Sequence, residues 1–534
     1  MGQVVVFSKP QCPHCIEAKD ILSSFDIPFK EINIEDDLHS SMLMSYASKR
    51  YTVPQIFFND KHIGGARELK QLNADSVKKM ANEALSALDD PNFLSTSLSS
   101  EELRNAIIPI KDFLDPHLPA DFVSLPDYKA VELWYSQMFG FLCNCYDQMT
   151  LKPEPMSLFI PVLSSMMEQV AKAVGPEGFG LACMATAFAA DCSYCAAHGA
   201  DLTMKYGGHT DEKIKQLYDY LRGDVELQDL PFDDELKVIV LLAARMSTQS
   251  ITQQDMGYAR SVFGIERLRQ AFESIAGMGG IMGFLNRWND LIGVEIEASI
   301  KQTIDNSALA AQWDWGTHDT EDDENRHVFR DTEASMPAPS ADQFRQLTKE
   351  VRDDVFAERE DVIAKYLQYD QALLPAWIAI LPNEDTTRST SAFYHSCLNE
   401  GELSSELKHL ANYAMLSGAG YPEMAAEEKR IAASICNDCE NFESRLAAIE
   451  KLAAGQPFDG DILSDAEVSA IKLARQAQRF PHVVRGELVV ELARQFSPAQ
   501  IVELVMALAV NGIGQRFVGI NKPFNGYLYS VSFG

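Results

Sequence analysis

The sequence predicts a multidomain chain: a small α/β domain over residues 1–90, then two all-helical halves over 126–302 and 342–534. Three observations carry this reading. The chain has 534 residues, which at ~150 residues per domain corresponds to about three to four domains. Strand-like and helix-like hydrophobic periods alternate only in the first 90 residues. Beyond about residue 125 the pattern is long, helical and rich in Ala, Met and Leu.

The elements of residues 1–90 can be read in order. QVVVF (3–7) is an apolar, β-branched run of strand length. Ala18, Ile21, Leu22 and Phe25 then recur at helical spacing. FKEINIE (29–35) alternates as a strand does, and QIFFN (55–59) is a third strand. Val77, Met80, Ala81, Ala84, Leu85 and Leu88 form a helical stripe behind Asp75 and Ser76, two candidate caps. Residues 91–125 are rich in Ser and Pro and read as a linker. Residues 303–341, with EDDENRH and SMPAPSAD, read as an acidic, solvated connector.

Charge narrows the partners. Lys and Arg number 46 against 77 Asp and Glu, a net charge of −31. Nucleic acid and anionic membrane surfaces, which need basic residues, are therefore not expected. No uncharged run approaches the ~20 residues of a bilayer span. The start lacks a basic segment followed by a long apolar one, so a cytoplasmic location is the default expectation. The ten cysteines then read as thiols, redox pairs or ligands rather than structural cross-links.

SKPQCPHC places Cys12 and Cys15 between a strand and a helix. There the helix dipole and free N–H groups stabilise a thiolate, and Lys9 adds positive charge. A second thiol three residues on can resolve a mixed disulfide. Zinc is the alternative, but it needs two further ligands, and no other cysteine lies within the first 140 residues. SKPQCPHCIEAKDIL, TVPQIFF and HIGG, in this order over nearly all of residues 1–90, resemble the glutaredoxin family. The resemblance implies a thioredoxin-like fold, with Cys12 as nucleophile and Cys15 as resolving thiol. It also implies glutathione as cosubstrate, with no tightly bound cofactor. Thr52, Val53 and Pro54 would form the glutathione-binding loop, with Pro54 cis. Lys9 would meet a glutathione carboxylate, and Gly64 and Gly65 would let the backbone approach the ligand. Glutaredoxins often follow the two glycines with Cys/Ser-Asp; here Ala66-Arg67-Glu68 follows. Weaker glutathione binding, or a protein disulfide as partner, is the expected consequence.

ATAFAADCSYCAAHGADL holds Cys192, Cys195 and His198. Helical positions three apart lie ~60° apart, so all three can share an edge. On that reading Cys195 is the activated thiol, His198 its base and Cys192 the resolving thiol. A zinc site completed by His209 and an inert core pair are the alternatives. With YGGHTDEKIKQL, FDDELKVIVLLAARMS and GFLNRWNDLIGVEIE, the stretch resembles the AhpD-like, or carboxymuconolactone decarboxylase-like, family. The resemblance spans about 126–302 and, more faintly, 342–534, so two all-α AhpD-like repeats are expected. The family is helical and usually oligomeric. Its members with a cysteine pair are thiol-dependent peroxidases or disulfide reductases. Its usual His, four residues past the second Cys, is Gly199 here, and Gly180 and Leu181 stand where an upstream Glu is usual. Glu177 and Asp191 are the candidate substitutes.

DDELKVIVLLAARMS (233–247) is similar to SDAEVSAIKLARQAQ (464–478), and IMGFLNRWNDLIGV (281–294) to VNGIGQRFVGINKP (510–523). These matches suggest a duplication at about 230 residues. No cysteine occurs between Cys397 and Cys436, so the second half is expected to be degenerate. Cys436 and Cys439 read as incidental, and Cys143, Cys145 and Cys183 as core. The expected activity is a thiol–disulfide relay, glutathione to Cys12/Cys15 to Cys192/Cys195, ending on a hydroperoxide or a partner disulfide. A glutaredoxin with a helical scaffold or oligomerisation module, or a helical half with decarboxylase-like activity, is the alternative. No metal is expected.

Overall fold

The structure is a computed structural model. It describes residues 4–86, 109–313 and 373–521, apart from scattered positions inside those spans. Much of the expected linker and connector, the start of the second helical half, and Cys439 lie outside the described residues. The chain forms two compact units, one of residues 1–118 with 484–498, the other of 119–483 with 499–534.

The first unit is built on a four-stranded sheet. Its strands are β1 (Val4–Ser8), β2 (Lys30–Asn33), β3 (Gln55–Phe58) and β4 (Lys61–Gly64), in the order β2-β1-β3-β4. β1 runs parallel to β2 and antiparallel to β3. β1 is central, and all five of its residues are buried, as a β-branched run covered on both faces should be. The alternation of β1 and β3 divides the core. Val4, Val6, Ile56 and Phe58 pack with Ala18, Leu22, Leu69 and Val77 on one face. Val5, Phe7 and Phe57 meet Met44 on the other. The helices are α1 (Pro13–Ser24), α2 (Leu38–Ser48), α3 (Ala66–Gln71), α4 (Ala74–Ser86) and the short α5 (Ile110–Leu114). The cap of α4 is neither Asp75 nor Ser76: the Asn73 Oδ1 accepts from the Ser76 N–H at 2.8 Å. β4, including the HIG of the expected glycine loop, is a strand that the sequence pattern did not reveal.

The second unit is helical: α6 (Pro153–Ala189), α7 (Ser193–Lys205), α8 (Asp211–Leu221), α9 (Asp234–Ser247), α10 (Gln253–Ile292), α11 (Ala298–Asp305), α12 (Glu384–Asn399), α13 (Ser405–Gly418), α14 (Pro422–Ser434), α15 (Phe442–Ala453) and α16 (Asp465–Gln476). α17 (Gly486–Gln495) belongs to the first unit. α18 (Pro498–Ile520) returns to the second for most of its length. Glycines at positive φ, Gly175 (68°) and Gly264 (67°), kink α6 and α10. Among the described residues α18 is the one helix long and apolar enough to cross a bilayer, and its apolar window is entirely buried in protein.

Helix order recurs along the second unit. α7, α8 and α9 are followed about 230 residues later by α14, α15 and α16. The helices ending the two halves cross at reciprocal glycines. A Cβ on Gly283 would fall 2.2 Å from the Gly512 carbonyl oxygen, and one on Gly512 would fall 2.1 Å from that of Gly283. Around the crossing Arg287 donates to the Leu508 carbonyl (3.2 Å) and to Gln515 Oε1 (2.5 Å), and Arg516 to the Ser247 carbonyl (3.0 Å). Each half sends its arginine into the other, the reciprocity of an approximate two-fold.

The crossing makes a contrast testable within one helix. Gly283→Ala wedges two backbones apart and should cost about 1–3 kcal/mol, as overpacking does. Gly277→Ala places its Cβ 3.6 Å from the Met166 Cβ, an ordinary contact. It should be neutral, or stabilising by up to about 1 kcal/mol through helix propensity. Urea unfolding of both variants checks the signs; equal effects would refute the close approach.

Candidate functional site

In the first unit Cys12 is the N-cap of α1. Its Sγ accepts from the Cys15 N–H at 3.2 Å, and Pro13, whose missing N–H costs nothing at a helix start, opens the first turn. Cys12 and Cys15 are paired as a disulfide with Cα atoms 5.2 Å apart. Cys12 is 7% exposed and Cys15 not at all, so an attacking thiolate reaches Cys12 first. The Val53 carbonyl lies 3.8 Å from Cys12 Sγ, and the Val53–Pro54 peptide is cis. Gly65 abuts this loop, since a Cβ there would stand 3.2 Å from the Pro54 carbonyl oxygen. Gly64 has φ 108°, which side chains disfavour. Lys9, Thr52 and Val53 share the wall of one cavity of about 640 Å³. Phe113 of α5, His117 just past it, Val490, Ala493 and Arg494 of α17, and Phe496 just past α17 also line it. Ala66 and Arg67 occupy the two positions after the glycines, and Glu68 beyond them caps α3 by accepting from the Gly65 N–H at 2.9 Å. His14 is solvent-exposed, 3.7 Å from Glu17.

A family model described as glutaredoxin matches residues 4–63. Glutaredoxin 3 of Escherichia coli K12 is 40% identical over 74 residues, 14% of this chain and 89% of that protein.

Through this domain the chain belongs to the glutaredoxin family.

Glutaredoxin-2 of Schizosaccharomyces pombe is 36% identical over 84 residues, 15% of this chain and 76% of that one. The hybrid peroxiredoxin hyPrx5 of Haemophilus influenzae is 38% identical over 68 residues, 13% of this chain and 28% of that protein. No solved structure matches the chain. Beyond the glutaredoxin domain lies the large helical remainder.

In that remainder Cys192 sits one residue before α7, and its Sγ accepts from the Cys195 N–H at 3.4 Å. α10 supplies two partners that the sequence did not single out. Asn289 Nδ2 donates to Cys195 Sγ at 3.3 Å, and the Asp290 carboxyl lies beside Cys192. Burial pushes both thiols up, Cys192 further than Cys195, with the hydrogen bonds from Cys192 and Asn289 partly offsetting it at Cys195. Burial and the neighbouring Cys192 also raise Asp290 well above the carboxylate range. A small cavity of about 20 Å³ reaches Cys192 between Asp191, Phe188, Tyr218 and Trp313, room for about one water-sized molecule.

His198 is engaged by groups other than the expected Cys195. Its Nδ1 donates to the Tyr194 carbonyl at 2.8 Å, and its Nε2 stands 2.8 Å from Glu297 Oε2. Glu297 is the N-cap residue of α11, and its other oxygen accepts from the Tyr194 hydroxyl at 2.8 Å and from the Asn144 N–H. Cys143 completes the group: its Sγ lies within 4.8 Å of a His198 nitrogen and a Glu297 oxygen. Two residues apart, Cys143 and Cys145 would face apart on a helix. Cys143 instead precedes the 3-10 turn Asn144–Tyr146, and the two thiols are close enough to shift one another's ionisation. A Cys, a His and a Glu could hold a cation. A nitrogen and an oxygen on one tetrahedral zinc stand about 3.3 Å apart, given bonds of about 2.0–2.2 Å. The 2.8 Å seen here is shorter than that spacing.

The positions that the AhpD-like resemblance left empty are closed by packing. A Cβ on Gly199 already falls 2.6 Å from the Met184 backbone, and one on Gly180 falls 2.6 Å from Thr203 Oγ1. A longer side chain fits at neither. Of the candidate substitutes, Glu177 is exposed and Asp191 borders the small cavity. His209 packs on Phe232, ring centroids 5.2 Å apart.

Proposed function

We propose that the chain is a thiol–disulfide relay in which glutathione reduces Cys12/Cys15 and that pair reduces a Cys192–Cys195 disulfide. The second pair in turn reduces a hydroperoxide or a partner disulfide. One observation carries the reading. Both pairs have the same local design, a cysteine just before a helix whose Sγ accepts the N–H of the cysteine three residues on. That geometry sets the two thiols of each pair side by side for exchange; in the second pair Cys195, which receives the Asn289 amide and is raised less than Cys192, is the attacking thiol and Cys192 its resolving partner. Lys9, the Thr52–Pro54 loop and the two glycines support glutathione as donor, as they do in glutaredoxins. The helical part is read as two AhpD-like repeats, the second without chemistry. Where Cys192 precedes α7, Tyr421 precedes α14, and Met424 takes the place of Cys195. The burial of Cys143, Cys145, Cys183, Cys192 and Cys195 favours a second reading, in which the helical part is a scaffold for the glutaredoxin.

Glutathione-dependent peroxide consumption separates the two. The relay predicts its loss in Cys195→Ser with exchange on small disulfides retained; the scaffold predicts no consumption in either protein. A Cys15→Ser, Cys192→Ser double variant should trap Cys12 with Cys195 within one chain after mild oxidation. Joining is plausible because a tethered partner reaches a high effective concentration. Trapping only with glutathione, or only between chains, would refute an intramolecular relay.

A further inference from the structure

Five thiols gather in the helical unit: Cys143, Cys145, Cys183, Cys192 and Cys195 are close enough for their charges to act on one another. Of these Cys143 is the most exposed, at 8%. It is also the one with a cation beside it. A backbone carbonyl only accepts, so the contact with Tyr194 means that His198 Nδ1 carries a proton. Nε2 then faces a carboxylate at 2.8 Å. A lone pair there would repel the carboxylate, and although burial opposes it, Cys143 and Glu297 hold the ring well above its ordinary range, which favours the imidazolium. Glu297 is fixed in turn by the Tyr194 hydroxyl and the Asn144 N–H. The loop carrying Cys143 is tied to the end of α10 and the segment after it: Trp288 Nε1 donates to the Cys145 carbonyl at 2.9 Å, and Asn144 Nδ2 to the Glu295 carbonyl at 3.0 Å.

We propose that Cys143 is the thiol of the helical unit that meets the oxidant, held as a thiolate by the His198 imidazolium, with Glu297 as the positioning residue behind it. The groups around Cys143 are Cys145, Cys183, Tyr135, Tyr146, Tyr194, His198 and Glu297. Burial pushes the Cys143 thiol up, but the hydrogen bond of Cys145 and the charge and hydrogen bond of His198 outweigh it, bringing it down to about 7. Burial pulls His198 down, and Cys143 and Glu297 more than reverse that. Burial raises Glu297, and His198 more than reverses that. Cys195 is raised by its burial, which leaves it a poorer first nucleophile at neutral pH.

The chemistry balances without a metal. The Cys143 thiolate attacks a peroxide oxygen; an S–O bond forms as the O–O bond breaks, and the leaving oxyanion takes a proton from His198. Sulfur is oxidised to sulfenic acid and the peroxide is reduced to alcohol or water. Cys145, two residues on and beside Cys143, then attacks the sulfenic sulfur, forming an S–S bond and releasing water. A dithiol restores the pair by exchange, through Cys192/Cys195 in the relay. The peroxide as oxidant rests on the relay; the activated thiolate does not.

The test is thiol labelling of the full-length reduced protein with iodoacetamide across pH, mapped by mass spectrometry. Cys143 should label first within the helical unit, with a midpoint near pH 7. His198→Gln should raise the midpoint by about 1–3 units, the effect of removing an adjacent opposite charge. Glu297→Gln should raise it as well, because the imidazolium gains more from the contacting carboxylate than the thiolate loses. A purely structural role for Glu297 would leave the midpoint in place. Cys143→Ser should lower peroxide consumption on the order of 10²-fold, with helical content unchanged. No consumption by wild type, with Cys143 still labelling first, would sink the relay and leave this assignment standing. Earlier labelling of Cys195 would overturn the assignment. So would stoichiometric zinc in wild type that Cys143→Ser loses.

Discussion

Cys12→Ser should abolish thiol–disulfide exchange by the glutaredoxin domain, while Cys15→Ser should retain much of it on a small mixed disulfide with glutathione. The asymmetry follows from position. Cys12 Sγ receives the Cys15 N–H at the positive end of α1, which favours the thiolate, and it is the exposed member of the pair. Cys15 is wholly buried and can act only on a sulfur already joined to Cys12. A serine hydroxyl at position 12 is not ionised near neutrality, so the rate should fall on the order of 10³-fold or more, the scale of losing a covalent nucleophile. Glutathione can take over the resolving step in Cys15→Ser, because the mixed disulfide at Cys12 remains open to a second thiol. The measurement is reduction of a glutathionylated small thiol by full-length variants. Equal loss from both would show that the roles are wrongly assigned, or that only a dithiol route operates.

The glutaredoxin half was legible because its chemistry is local in sequence. Cys12 and Cys15, the Thr52–Pro54 loop and Gly64-Gly65 are short motifs whose backbone geometry is set within a few residues. What the pattern hid was α17, which lines the cavity beside Lys9, Thr52 and Val53 from more than 400 positions downstream. The helical site was half legible. Cys192, Cys195 and His198 lie on one helix and could be found together. Their partners Asn289, Asp290, Glu297 and Cys143 come from α10, the segment after it and a 3-10 turn, so no spacing rule links them. Helical periodicity also misplaced Cys143 and Cys145, because the segment around them winds as a 3-10 turn. The expected pairing of His198 with Cys195 assumed that neighbours on a helix face interact, yet the imidazole is claimed by a carboxylate about 100 residues away. One signal was available: the match of RWNDLIG to the second half marked α10 as important, and its Asn and Asp are where the two copies differ in chemistry.

Glu503→Ala should destabilise the helical unit by about 3–5 kcal/mol, the usual cost of removing one partner of a buried ion pair. Glu503 is 3% exposed and its carboxylate satisfies four donors. Lys408 Nζ lies at 2.8 Å and Lys152 Nζ at 2.9 Å, and the Glu402 and Leu403 N–H groups donate at 2.9 and 3.1 Å. The two lysines come from opposite halves of the unit, so one carboxylate on α18 joins both. Lys408 is fully buried and would be left without its anion. Burial already pulls its ammonium below the usual range, with Glu503 opposing that. Burial pushes Glu503 up, but the hydrogen bonds and charge of Lys408, the Glu402 N–H and Lys152 outweigh it and hold the carboxyl below its ordinary value of 4.5. A depressed carboxylate contributes stability that is present above its unfolded value and is lost as pH falls through the folded one. The gap in urea midpoint between wild type and Glu503→Gln should therefore be full at neutral pH and narrow as the pH falls below about 5. A gap independent of pH would mean that shape, not charge, sets the effect. The double change Glu503→Leu with Lys408→Met should recover much of the loss, because no uncompensated charge stays buried. If the double variant is as unstable as Glu503→Ala plus Lys408→Met taken separately, the two side chains are not coupled and the junction of the halves is held elsewhere.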